Sequence, residues 1–202
     1  MARYNPAKAY LEQARCFLHA DIEIPSQDKY DVPPPNLVLA QIASTYIFSY
    51  MAIVAFVAHE IDHLWNEPDR PLQLAYPKAK SVRPLLNGDL KDLKECLKAL
   101  CRHCTIPYIH EEKPTEWNQL LSVLKDVRDY MVHPNPDPQA FHDTVTKAGA
   151  DRTWDFAPGV AQAIISYFYE ATHRPVPEWL RSNQEFVVDR IRALRVARED
   201  EA

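Results

Sequence analysis

Glycine is almost missing from this sequence, with 3 residues in 202. Phosphate-cradling loops and tight Asn-Gly hairpins both need residues free to turn left-handed, so Gly-rich nucleotide folds and hairpin-built sheets are excluded. An excess of positive charge is missing too. The 23 Lys and Arg stand against 28 Asp and Glu, a net charge of -5, so only a local basic patch would hold nucleic acid. No internal repeat occurs, and no segment alternates apolar and polar residues in the way of a strand. Arg3, Lys8, Glu12 and Arg15 interrupt every apolar run near the N-terminus that would serve as a secretion signal. The four cysteines, Cys16, Cys96, Cys101 and Cys104, are therefore expected as reduced thiols in a cytoplasmic protein.

Proline is plentiful, at 17 residues, and it punctuates the chain between apolar periodic segments. Helices are predicted at about 6–20, 37–66, 89–104, 115–132, 158–172 and 178–198, with Pro6 opening the first and Pro33, Pro34 and Pro35 forming an extended connection before the second. The expected fold is all-α, an up-and-down bundle of about five to six helices in one domain spanning 1–202.

The segment LVLAQIASTYIFSYMAIVAFVA, residues 37 to 58, carries no charge and is long enough to cross a bilayer. On a helical wheel, however, Gln41, Thr45, Ala52, His59 and His63 form one stripe, opposite Tyr46, Tyr50, Val54, Val57, Ile61 and Trp65. A polar stripe running through the apolar stretch, with no close flanking Lys or Arg, points to a central bundle helix and no membrane partner. Its apolar content exceeds what one neighbouring helix covers, so a homodimer is expected.

That helix ends in AHEIDHLW. His-Glu-x-x-His on a helix is the zinc-and-base arrangement of many hydrolases, which makes His59, Glu60 and His63 an alternative metal site with His110 or Glu111 as third ligand. HEIDHL resembles the metal-binding segment of peptide deformylases, but that family's Gly-rich and Cys-containing motifs are absent. The histidines also continue the polar stripe, which explains their spacing without metal. A second metal candidate, Cys96, Cys101 and Cys104 with His103 and His110, falls on a helix marked by Leu93, Leu97 and Leu100, where buried thiols are the simpler expectation.

The segment TEWNQLLSVLKDVRDYMVHPNPDP places Trp117, Leu120, Leu121, Leu124, Val127, Met131 and Val132 in one apolar sector, and Arg128 falls inside it. A guanidinium on a buried face needs a partner or a cleft; Glu60 is one candidate partner. His133 precedes Pro134, so its imidazole is expected at the helix end, where the dipole favours the cation, with Asp129 four residues earlier to orient it. RDYMVHP, an Arg-polar-x-x-x-His motif at a helix end, together with the earlier long apolar helix, resembles the signature of the HEPN (higher eukaryotes and prokaryotes nucleotide-binding) family. The resemblance covers about residues 37–172; the segment 1–36 and a basic helix at 176–198 look like additions.

Many members of that family are metal-independent endoribonucleases, often toxins paired with a nucleotidyltransferase-like antitoxin, whose cleft forms between two protomers. The resemblance implies Arg128 and His133 as catalytic residues, Asp129 as the polar residue beside the arginine, RNA as substrate, and no cofactor. It equally allows a catalytically silent binding or assembly module. Arg192, Arg195 and Arg198 supply a candidate phosphate-facing stripe on the last helix, although solvated arginines give the same pattern.

Overall fold

The computed structural model describes residues 5–18, 35–76, 78, 92–132 and 156–181. Among these every regular element is helical and no strand occurs, as the scarcity of glycine and of alternating segments implies. Helix α1 spans Pro6–Leu18, α2 Pro35–Trp65, α3 Leu93–Cys104, α4 Ile109–Glu112, α5 Pro114–Gln119, α6 Lys125–Val132, α7 Ala157–Ala171 and α8 Glu178–Arg181. A single 3-10 turn at Leu72–Ala75 follows α2, and a π-helical turn at Leu120–Leu124 joins α5 to α6. Proline starts α1, α2 and α5, positions where its missing N–H has no intrahelical acceptor to lose. Asn5 caps α1 by accepting the Lys8 N–H at 3.1 Å.

Helix α2 is the axis around which the others pack. Tyr46, Ile53, Phe56 and Ile61 are buried, and Ile53, Phe56 and Ile61 each contribute roughly 1.5–3 kcal/mol relative to exposure. Aromatic pairs lock its flanks: Phe17 of α1 stacks on Phe48 at 5.5 Å, and Phe56 meets Phe168 of α7 at 5.6 Å. The expected polar stripe does not reach solvent along most of its length. Thr45 and Ser49 are buried, their hydroxyls donating to the carbonyls of Gln41 at 2.9 Å and Thr45 at 2.7 Å, while Gln41 donates to the Phe17 carbonyl at 2.6 Å. Such i−4 bonds let a helix bury hydroxyls without outside partners. By length and composition α2 would also cross a membrane, yet 56% of its apolar window is buried against other helices. Only the last two turns, with His59, Asp62 and His63, emerge as the wheel predicts.

Helix α1 lies outside the segment that carries the family resemblance but belongs to the same core. Ala7 and Leu11 join the central cluster. Arg15 is buried and donates to the Trp179 carbonyl at 3.1 Å and to Gln162 Oε1 at 2.9 Å, tying α1 to α7 and α8. Burial lowers the Arg15 pKa from its ordinary value. Helices α1, α3, α6 and α7 together cover most of the apolar surface of α2, leaving Met51, Val54 and Ala55 half-buried.

Candidate functional site

The site indicated by the sequence lies on α6, the last segment of a helical rod that begins at Pro114. Trp117, Leu120, Leu124 and Val127 are buried toward α2 and the rest of the core, whereas Leu121 is only half-buried. The π turn adds a residue between successive turns, so a single α-helical wheel cannot be extended through it. Arg128, expected within the apolar sector, instead keeps about a third of its side chain in solvent at the rim.

Three charged groups are gathered there. Arg128 Nη1 donates to Asp129 Oδ1 at 2.6 Å, and Lys125 Nζ donates to Asp129 Oδ2 at 2.7 Å. The Arg128 guanidinium lies 5.7 Å from the ring centroid of Tyr50 on α2, within the range of a cation–π contact. Burial alone would raise the Asp129 carboxyl; the hydrogen bonds from Lys125 and Arg128 outweigh it and hold the group below its usual range. The same bond raises the Lys125 ammonium, and burial raises the Tyr50 phenol. Asp129 is thus committed to two cations on its own helix. His133, which follows Val132 directly in sequence, lies outside the described residues, as do Arg192, Arg195 and Arg198.

Glu60 is not the partner of Arg128. Its carboxylate Oε2 lies 2.8 Å from Arg174 Nη1, beyond the end of α7. The ion pair accounts for the one charged residue buried in α2, since a carboxylate away from water requires a matching cation. Within the HEIDH turn, Glu60 therefore points into the bundle while His59 and His63 are exposed. The proposed third ligands are engaged elsewhere: Glu111 accepts the Tyr108 N–H at 3.2 Å, and His110 stacks on Tyr108 at 5.4 Å. Among the described residues no group of three His, Cys, Asp or Glu side chains is arranged to hold a metal ion.

Cys96 and Cys101 are buried in α3, where desolvation pushes both thiols up to about 11. Cys104 is half-buried at the helix end, its thiol also raised by burial. His103 Nε2 lies 3.3 Å from Glu67 Oε2.

Compared with known proteins, the chain matches no family model, no curated protein and no solved structure. The class defined by the fold is an all-α helical bundle.

Proposed function

We propose that this protein is a metal-independent endoribonuclease of the HEPN type, acting as a toxin or defence component. The observation that carries this reading is the placement of Arg128: a solvent-reaching guanidinium, braced by Asp129 at 2.6 Å and Tyr50 at 5.7 Å, in the last turns before the helix end. A braced guanidinium loses less freedom on binding phosphate, and its unused N–H groups remain available for a bidentate contact. His133 takes the proton from a ribose 2'-hydroxyl or protonates the departing 5'-oxygen, and Arg128 stabilises the charge that develops on phosphorus. The attacking 2'-oxygen displaces the 5'-oxygen, giving a 2',3'-cyclic phosphate and a 5'-hydroxyl. Asp129 acts as a positioning residue for Arg128.

The same reading makes a homodimer the working form, with Met51, Val54 and Ala55 of α2 as the half-buried surface for a second copy, and a nucleotidyltransferase-like antitoxin as a further partner. A second reading, a silent HEPN-like assembly module, draws on the pairing of Arg128 with Asp129, which neutralises the guanidinium within its own helix. Cleavage of single-stranded RNA in the presence of a chelator, by wild type and by His133→Ala, separates the two.

A further inference from the structure

A cavity of about 530 Å³ opens where the C-terminal ends of α2, α3 and α7 meet. Arg128 and Asp129 do not line it.

The ends of α3 and α7 close in the same way. In α3 the Ile106 N–H reaches the Cys101 carbonyl at 3.0 Å and the Thr105 N–H reaches that of Arg102 at 3.3 Å; in α7 the Arg174 N–H reaches Tyr169 at 2.8 Å and the His173 N–H reaches Glu170 at 3.0 Å. Both are Schellman turns, whose left-handed position is usually glycine. Here it is occupied by Thr105, φ 57°, and His173, φ 56°. A β-branched residue adopts that conformation only when its surroundings impose it, and such positions concentrate at functional sites.

The side chains show what the turns provide. Thr105 Oγ1 accepts a hydrogen bond from Arg70 Nη1 at 3.1 Å, and Thr172 Oγ1 accepts one from Arg174 Nε at 2.9 Å. Each turn thus holds one of the two guanidinium groups that line the cavity. Of the carboxylates on the cavity wall, Glu60 is paired with Arg174 at 2.8 Å and Glu67 is hydrogen-bonded to His103 Nε2 at 3.3 Å. Among the described residues, Arg70, His63 and His173 have no carboxylate partner. These three come from separate segments: the loop after α2, the last turn of α2 and the turn after α7. Donors arriving from three directions suit the oxygens of a tetrahedral phosphate better than the flat two-oxygen edge of a carboxylate.

A neighbouring cavity of about 410 Å³ shares Arg70 and His103 with the first and continues along Leu72, Leu74 and Tyr76. Leu74 is 73% exposed there, an apolar side chain left in water beside a cationic wall. Volumes of this size are those of small-molecule sites. We infer that the joined cleft binds a small phosphate monoester with an apolar or aromatic body, its phosphate held by Arg70, His63 and His173 and its body set against Leu72, Leu74 and Tyr76.

Calorimetric titration of the full chain with inorganic phosphate, phenyl phosphate and benzyl alcohol tests this. Phenyl phosphate is expected to bind about tenfold tighter than inorganic phosphate, a factor of the size a modest apolar contact provides, and benzyl alcohol not to bind. Arg70→Ala and His63→Ala, both at exposed positions and checked by thermal melting, should each weaken phenyl phosphate roughly tenfold, as loss of a charge-assisted contact requires. Leu74→Ser should weaken phenyl phosphate and leave inorganic phosphate unchanged. Equal affinity for the two phosphates would overturn the two-part ligand. Absence of phosphate binding by wild type, or undiminished binding by folded Arg70→Ala and His63→Ala, would overturn the site.

Discussion

Arg174 Nη1 lies 2.8 Å from Glu60 Oε2, joining the turn after α7 to the penultimate turn of α2. The Glu60 side chain is almost wholly buried while that of Arg174 is about a third exposed, so the two residues contribute unequally. Removing the cation strands a carboxylate in the bundle; removing the carboxylate leaves a cation that turns to water.

Arg174→Ala should therefore destabilise the fold by about 2 kcal/mol, less than the ~3–5 kcal/mol of a fully buried pair because solvent already screens part of the interaction. Glu60→Gln should cost less than Arg174→Ala. Urea titration of both variants checks the order, and a larger loss in Glu60→Gln would contradict the assignment of Glu60 as the dependent partner.

Cys96 and Cys101 make stability fall in alkali. Burial raises both thiols to about 11 from an ordinary value of 9.0, so the unfolded chain releases these protons before the folded one does. The stabilisation is complete below pH 9 and is lost as pH climbs from 9 towards 11. Melting temperature measured across that window should decline, and the decline should flatten in a Cys96→Ala, Cys101→Ala variant. At pH 8 both thiols should react with a disulfide reagent only as fast as the protein opens. Rapid labelling of all four cysteines in native protein would refute their burial.

Thr105→Gly should raise stability while loosening Arg70. Relief of the left-handed strain, of order 1–3 kcal/mol, exceeds the ~0.5–1 kcal/mol entropic cost of glycine. A net gain near 1 kcal/mol corresponds to a rise in melting temperature of about 2–4 °C in a chain of this size. The lost Thr105 hydroxyl releases the 3.1 Å contact to Arg70, so the more stable variant should bind phenyl phosphate more weakly. A destabilised variant would show that Thr105 is not strained.

The helices were legible because their signals are local. Proline at the first turn marks Pro6, and the apolar period predicts 37–66 and 158–172 where Pro35–Trp65 and Ala157–Ala171 are found, although Pro35, expected in the extended connection, opens its helix instead. The short helix Ile109–Glu112 and the π turn at Leu120–Leu124 were not legible, since neither has a propensity signature strong enough to register over five residues or fewer. The α2 wheel misplaced Thr45 because it scores a hydroxyl as solvent-seeking and cannot show a bond to the helix's own carbonyl. On the site itself, the wheel puts Arg128 on the buried face and offers Glu60 as its partner, whereas the adjacent Asp129 holds it at the rim. The cleft beneath Arg70 and Arg174 left no local trace. It draws on three separated segments, and its left-handed turns fall on Thr105 and His173, where the usual marker, glycine, is absent.

The most direct test of the proposed function is cleavage of single-stranded RNA by purified protein in excess chelator, with the ends of the products identified. Wild type should yield 2',3'-cyclic phosphate and 5'-hydroxyl ends. His133→Ala should lower the rate about 10²- to 10⁴-fold, the span attributed to a general acid or base, with its melting temperature unchanged. Arg128→Lys keeps the charge but loses the fork, and should depress the rate more than the stability. A folded wild-type protein that cleaves none of a broad RNA panel, or cleavage undiminished in His133→Ala, would contradict the account.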